Sequence, residues 1–393
     1  MSTRVEPAPV RAARPGAGEM EGAGRCPRVL VVPASYFARG RTVGGGERYA
    51  LEYARALSAY TPTTLALFDT EPRRETDGTL EVRTFSVRHL DQRLAFPLTA
   101  ESWRELGRFD VVHSMVFPTP LTDLLVLSAR LRGQRVVLTD VGGGGRCWST
   151  YLQKLHARAG LNRLADGLAL LSRHSAGHFA DWGQRKTILY GGVNLGSLAP
   201  DGTPPGGYAL FVGRLLPHKG VLQLIDALDA DVPLRVVGRP YDPGYLRQLQ
   251  DAARAKDVRF VMDADDAELR RQYAGASVVL QPSIPTPGAA DTSELLGLVA
   301  LEAMACGKPV IVTRAGSLPE LVLDGRTGFV VNPDDAETLR ARVRQLVEDQ
   351  EMSARMGAAA RRHVEEHFTW EQAAARGLEL YRQLPPSRRE AAR

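Results

Sequence analysis

The sequence predicts two tandem doubly wound α/β domains, and three observations carry that expectation. Short runs rich in Val, Ile and Leu recur from residue 28 onward, as expected of strands buried on both faces of a parallel sheet. Helical periods separate these runs, so that strand and helix alternate in right-handed units. The rhythm breaks at the Pro- and Gly-rich "LAPDGTPPGG" (198–207) and then restarts. A chain of 393 residues has room for two or three domains.

Residues 1–27 carry no apolar period and are read as a disordered leader; the absence of an apolar h-region argues against a signal peptide. The first domain (28–197) takes its strands from "RVLVVPA", "TTLALF", "DVVHSM", "RVVLTD", "LALLS" (168–172) and "TILY" (187–190). Its clearest helix is "GERYALEYARAL", with Ala50, Tyr53, Ala54 and Leu57 on one face. After the linker (198–207), the second domain (208–367) takes its strands from "YALFVGR", "PLRVVGR", "VRFVMD", "SVVLQP", "PVIVT" and "GFVV". A final helix (368–384) precedes a tail (385–393). Two such domains facing one another predict a ligand cleft over the carboxyl ends of their strands.

Composition narrows the function. Net charge is +5, from 50 basic and 45 acidic residues, with much of the excess near the termini. This argues against a nucleic-acid binder, which concentrates basic residues on one face. Cys26, Cys147 and Cys306 have neither disulfide-framework nor metal-ligand spacing and suit a reducing compartment. No apolar run reaches membrane-spanning length.

Three strings carry chemistry. In "FVGRLLPHKG" (211–220) a strand ends at Gly213, and Arg214 and Lys219 bracket a loop before a helix. Two cations at a helix start suit a diphosphate, although two surface cations on a solvated loop would read alike. In "SELLGLVALEAMACGKPVIVT" (293–313) Gly307 and Pro309 stop a helix running from about Leu298 to Cys306. Glu302 then lies just past its first turn and Glu294 in the preceding loop, so that both can face the cleft. Lone glutamates would read as surface charges. "VGGGERY" (43–49) places glycines where backbone can approach a phosphate closely, or where a turn needs freedom. "DADD" (263–266) is read as turn and N-cap aspartates, not as a metal site. His113 ends a strand and either lines the cleft or is a buried structural histidine. His218 is read as solvated.

In this order the strings resemble the family 4 retaining glycosyltransferases of GT-B fold, whose motifs read approximately GGxER, GRLxxxKG and E-x7-E with EAMAxGxPV. They stand here as Gly45-Gly46-Glu47-Arg48, as Gly213-Arg214-Leu215 with Lys219-Gly220, and as Glu294 with Glu302. "DVVHS", "YGGVNLGSLAP", "LPELVLDGRTGFVVNPDD" and "FTWEQAAARGLELYRQL" extend the likeness over about residues 28–384.

The resemblance implies a metal-independent retaining glycosyltransferase with a nucleotide-diphosphate sugar as donor and no cofactor. Arg214 and Lys219 would hold the diphosphate, Glu302 the ribose, and Glu294 would lie by the transferred sugar. Backbone amides of Gly45, Gly46, Gly297 and Leu298 would touch phosphate or sugar. Many relatives carry a histidine where this chain has Asp140, followed by Gly142 to Gly145. Asp140 then either acts on the sugar or caps a turn, with Gly142 and Gly143 on the same sugar or acceptor side as His113. The acceptor would be a glycan, lipid-linked saccharide or small molecule, as in polysaccharide biosynthesis. A cytoplasmic location follows, with peripheral contact at the inner face of a membrane and no nucleic-acid partner. The rivals are a non-catalytic nucleotide- or glycan-binding subunit and a GT-B epimerase or phosphorylase.

Overall fold

The computed structural model describes residues 26–33, 45–88, 90–91, 94–95, 99–115, 120–141, 160–204, 206–285 and 294–386. These divide into two compact units, one of the described residues from 26 to 192 with 370–386, the other of those from 193 to 369.

The first unit is built on an eight-stranded sheet. Its strands are β1 (Val29–Val32), β2 (Thr63–Asp69), β3 (Arg73–Asp77), β4 (Leu80–Ser86), β7 (Val111–Ser114), β8 (Arg135–Leu138), β9 (Gly167–Leu170) and β10 (Arg185–Ile188). A two-residue ribbon, β5 (Leu90–Asp91) with β6 (Leu94–Ala95), lies outside it. Sheet order is β10-β9-β8-β7-β1-β2-β4-β3, parallel except for the β3–β4 pair. The helices are α1 (Gly45–Ser58), α2 (Ala100–Leu106), α3 (Pro120–Leu131), α4 (Arg173–Gly177) and, at the chain's end, α12 (Trp370–Gln383). Tyr49 and the four predicted residues Ala50, Tyr53, Ala54 and Leu57 form the buried face of α1. That face packs on α12. Val32, Phe68, Phe85, Val112, Leu138 and Leu170 belong to one apolar cluster of this unit.

The hairpin β3–β4 has no counterpart in the strand pattern read from sequence. β3 is exposed along its whole length, so it shows none of the apolar periodicity that marked the others. It is a charged edge strand, the form that protects a sheet from pairing with another chain. The two-residue loop Gly78-Thr79, with Gly78 at φ +60 in its first position, is the hairpin signal that could have revealed it. β9 and β10 begin one and two residues earlier than expected.

The second unit is a six-stranded, wholly parallel sheet. Its strands are β11 (Tyr208–Val212), β12 (Leu234–Val237), β13 (Val258–Val261), β14 (Ala276–Gln281), β15 (Val310–Thr313) and β16 (Gly328–Val331). They lie in the order β13-β12-β11-β14-β15-β16. The helices are α5 (Val221–Ala227), α6 (Pro243–Ala252), α7 (Asp266–Gly275), α8 (Leu298–Ala305), α9 (Leu318–Leu321), α10 (Ala336–Glu348) and α11 (Gln350–His367). Phe211, Val236, Leu280, Ile311 and Val331 join one core cluster. Both units are doubly wound, and the strand order of the second reverses between β11 and β14. In open α/β sheets that reversal, at the carboxyl ends, is where ligands bind.

Candidate active site

The loops leaving β11 and β14 meet at this switch point. Lys219 Nζ pairs with Glu294 Oε1, and Ser283 Oγ donates to the same oxygen at 2.9 Å. Thr313 Oγ1, at the end of β15, donates to the Ser283 carbonyl. The Ser317 amide donates to the Glu294 carbonyl at 2.7 Å, and the Ile284 amide to the His218 carbonyl at 2.9 Å. Loops following three neighbouring strands are thereby tied into one frame. Gly220 is essential to it: its φ is +71, and a Cβ there would lie 1.8 Å from the Pro282 carbonyl oxygen.

Burial pushes the Glu294 carboxyl up, but the charge of Lys219, the hydrogen bonds from Lys219 and Ser283, and His218 together pull it below its ordinary value. His218 is half-buried rather than solvated. Burial foremost, then repulsion by Lys219, lowers its pKa despite Glu294, and Arg214 adds to the repulsion. A half-buried imidazole whose protonation is disfavoured thus sits beside the Lys219–Glu294 pair. Arg214 is exposed on the same loop, one residue after Gly213. A loop carrying two cations can take up a diphosphate, with Glu294 releasing Lys219 to it.

Gly297 precedes α8 in the left-handed conformation, and Leu298 opens the helix. The first amides of a helix have no partner within it. Glu302 departs from expectation. It is only 6% exposed, and Tyr273 Oη of α7 donates to its Oε2 at 3.1 Å. Neither glutamate is an open carboxylate: Glu294 is packed against Lys219 and Ser283, and Glu302 against Tyr273. Asp265 of "DADD" is the N-cap of α7, accepting from the Glu268 amide at 2.7 Å.

In the first unit, Gly45 and Gly46 open α1. A Cβ on Gly46 would lie 3.1 Å from Val141 Cγ2, so the helix start and the segment after β8 are in close contact. Asp140 follows β8 and is half-buried. Gly142 and Gly143 lie outside the described residues. His113 is corrected by the structure: the ring is fully buried, with Nδ1 2.6 Å from Tyr381 Oη and Nε2 2.6 Å from Thr139 Oγ1. Burial pushes its pKa down to about 3. Both nitrogens are engaged inside the protein, so the ring is structural and faces no sugar. Ser283, Tyr273 and Tyr381 were missed from sequence. Only Ser283 had a signal, a small hydroxyl residue just past the carboxyl end of a buried strand at the switch point.

A family model for glycosyl transferases group 1 matches residues 204–363. The GDP-mannose-dependent alpha-(1-6)-phosphatidylinositol monomannoside mannosyltransferase of Mycolicibacterium smegmatis is 33% identical over 301 residues, covering 70% of this chain and 78% of that protein. The chain belongs to the group 1 glycosyltransferases. The GDP-mannose-dependent monoacylated alpha-(1-6)-phosphatidylinositol monomannoside mannosyltransferase of Corynebacterium glutamicum is 27% identical over 375 residues, 88% of this chain and 95% of its own. Anabaena HepE, crystallised with UDP, shares the fold: TM-score 0.70 at 21% identity, covering 91% of this glycosyltransferase and all of HepE. The enzyme is thus a family 4, GT-B-type retaining glycosyltransferase that uses a nucleotide-diphosphate sugar as donor.

Proposed function

We propose that this glycosyltransferase transfers mannose from GDP-mannose to a sugar-bearing phospholipid headgroup, without a metal ion. The observation that carries the reading is the Lys219–Glu294–Ser283 cluster at the switch point of the second domain. The donor and acceptor classes are those printed for the two mannosyltransferase relatives.

In this mechanism Arg214 and Lys219 hold the diphosphate, assisted by amides at Gly297 and Leu298; Gly213, whose own amide is taken by the Val237 carbonyl, only brings the backbone close. Glu302, oriented by Tyr273, accepts from the ribose hydroxyls. The bond between the anomeric carbon and the phosphate oxygen breaks, and the acceptor hydroxyl adds from the same face. Its proton passes to the departing phosphate. Glu294 and Asp140 stabilise positive charge on the sugar, and cations in place before the reaction stabilise the leaving group. Gly45 and Gly46 give the first domain a close backbone approach to the donor. Two cations replace the Mg²⁺ that would otherwise neutralise a diphosphate.

No helix among the described residues is long and apolar enough to cross a membrane. Contact with the acceptor's bilayer falls instead to α3 and the 161–164 turn. Leu127, Leu131, Leu161 and Leu164 are exposed there, Leu131 by 80%, with Arg130 and Arg163 between them. The exposed leucines suit the acyl boundary of a lipid surface, while Arg130 and Arg163 are held by Asp166 and Asp181.

The test is a thermal-shift screen of GDP-, UDP- and ADP-sugars, followed by transfer assays in excess EDTA. GDP-mannose should stabilise most, by about 2.7 kcal/mol at a hundred times its Kd, and EDTA should leave turnover intact. Stabilisation by another base only, or turnover that EDTA abolishes and Mg²⁺ restores, would overturn the corresponding part.

A further inference from the structure

His113 is sealed inside the first domain, where it is central to a hydrogen-bonded file through the core. Tyr53 Oη of α1 is 2.8 Å from Tyr381 Oη of α12. Tyr381 Oη is 2.6 Å from His113 Nδ1, and His113 Nε2 is 2.6 Å from Thr139 Oγ1. All four side chains are fully buried. Gly377 of α12 makes the first contact possible, because a Cβ there would lie 1.8 Å from Tyr53 Oη.

A neutral imidazole has one donor and one acceptor nitrogen. In one tautomer the file runs from Tyr53 through Tyr381 and His113 to Thr139; in the other it runs in reverse. Each bond is made once in either case. The Arg135 guanidinium donates to the Tyr381 carbonyl at 3.0 Å, anchoring the helix to β8 as well. Leucine or phenylalanine would fill such a core with no polar group to satisfy. What a directional file adds is a fixed geometry. It ends at Thr139, one residue before Asp140. At its other end is α1, whose first turn carries Gly46 against Val141.

We propose that His113, Tyr381 and Thr139 are positioning residues for the 139–141 segment, through which the C-terminal helix fixes where Asp140 presents its carboxylate. The inference rests on the reading that Asp140 acts on the transferred sugar. It makes α12 part of the reaction's geometry without any contact with substrate.

The experiment compares Thr139→Val, Thr139→Ser, Tyr381→Phe and Asp140→Ala in the full chain. Turnover of GDP-mannose is expressed per GDP-binding site counted by calorimetry, so that misfolded protein does not register. Thr139→Val and Tyr381→Phe should each lower kcat about tenfold, as a displaced reacting group does. The Kd for GDP should not change, and Thr139→Ser should retain wild-type kcat. Wild-type turnover per site in Thr139→Val and Tyr381→Phe, with Asp140→Ala inactive, would overturn the file's role and leave the Asp140 reading standing. Wild-type turnover in Asp140→Ala would overturn both. Should Thr139→Val not fold, Tyr381→Phe decides alone.

Discussion

The two domains share one construction and differ in what they place at the carboxyl ends of their strands. In the second domain the switch point holds opposite charges, Lys219 and Glu294, with Ser283 donating to the same carboxylate oxygen. In the first, the strand ends are joined by neutral groups, with His113 kept uncharged by burial between Tyr381 and Thr139. A leaving diphosphate develops charge, and charged groups set in advance stabilise it without reorganising. A sugar and an acceptor hydroxyl demand geometry more than charge, and neutral hydrogen bonds supply geometry cheaply. The contrast predicts that charge substitutions in the second domain act through the leaving group, and that substitutions of the first domain's neutral file act through geometry, by moving the charge that Asp140 carries.

The largest effect should follow Lys219→Ala. Loss of one preorganised group at the leaving oxygen costs roughly 10²–10³-fold in kcat, about 2.7–4 kcal/mol. Arg214→Ala should cost less, about tenfold in kcat/KM, because the side chain is exposed. Wild-type kinetics in both would move the diphosphate elsewhere. Lys219→Ala should also change the acid behaviour. In the wild type Glu294 lies below its ordinary value of 4.5, so its contribution to stability is present above that pH and lost as pH falls through the lowered value. Without the ammonium, burial acts largely unopposed and the carboxyl rises. Urea unfolding as a function of pH should then show the acid limb displaced upward; an unmoved limb would mean that the ion pair is not what holds the carboxylate charged.

Asp140→Ala and Asp140→Asn fall between Lys219→Ala and Arg214→Ala, with a loss of roughly 10²-fold in transfer. Affinity for GDP should stay at the wild-type level, since the proposed mechanism gives the nucleotide to residues of the other domain. Full transfer by Asp140→Ala would make the residue a turn cap and return the stabilising role to Glu294 alone.

How much of this was legible follows from the same contrast. Strands buried on both faces showed themselves as apolar runs, and Arg214, Lys219, Glu294 and Glu302 stood out because their spacing is local. What stayed hidden depends on pairs distant in sequence. Tyr273 meets Glu302 across 29 positions, and His113 meets Tyr381 across 268. The β3 edge strand carries no apolar residue to mark it. His113 is open to two readings from sequence because a histidine ending an apolar strand looks the same whether its ring faces inward or toward the strand's open end. Only its two partners decide, and neither is adjacent in the chain.

A smaller effect is expected from Glu302→Gln, which keeps shape and one acceptor for Tyr273. Donor binding should weaken about tenfold, the worth of charge-assisted over neutral hydrogen bonds. Calorimetry with GDP alone measures it. Unchanged affinity would show that Glu302, buried as it is, serves only the contact between α7 and α8.

The smallest effect should come from Gly46→Ala, which asks whether the first domain's glycine is there for ligand or for packing. Gly46 lies in the first turn of α1, where alanine gains up to about 1 kcal/mol in helix propensity over glycine. Against that gain, its new Cβ would lie 3.1 Å from Val141 Cγ2. That contact is a few tenths of an ångström too close, and a valine methyl can yield by that much. Stability should therefore change by no more than about 0.5 kcal/mol. The yielding methyl belongs to the residue after Asp140, so the segment should shift slightly and kcat should fall about threefold, with Kd for GDP unchanged. A fall as deep as that of Asp140→Ala would show that backbone at Gly46 lies directly against the donor, where no methyl fits. No fall at all would show that the helix start and the Asp140 segment move independently, which would also weaken the case for a first domain that works by shape.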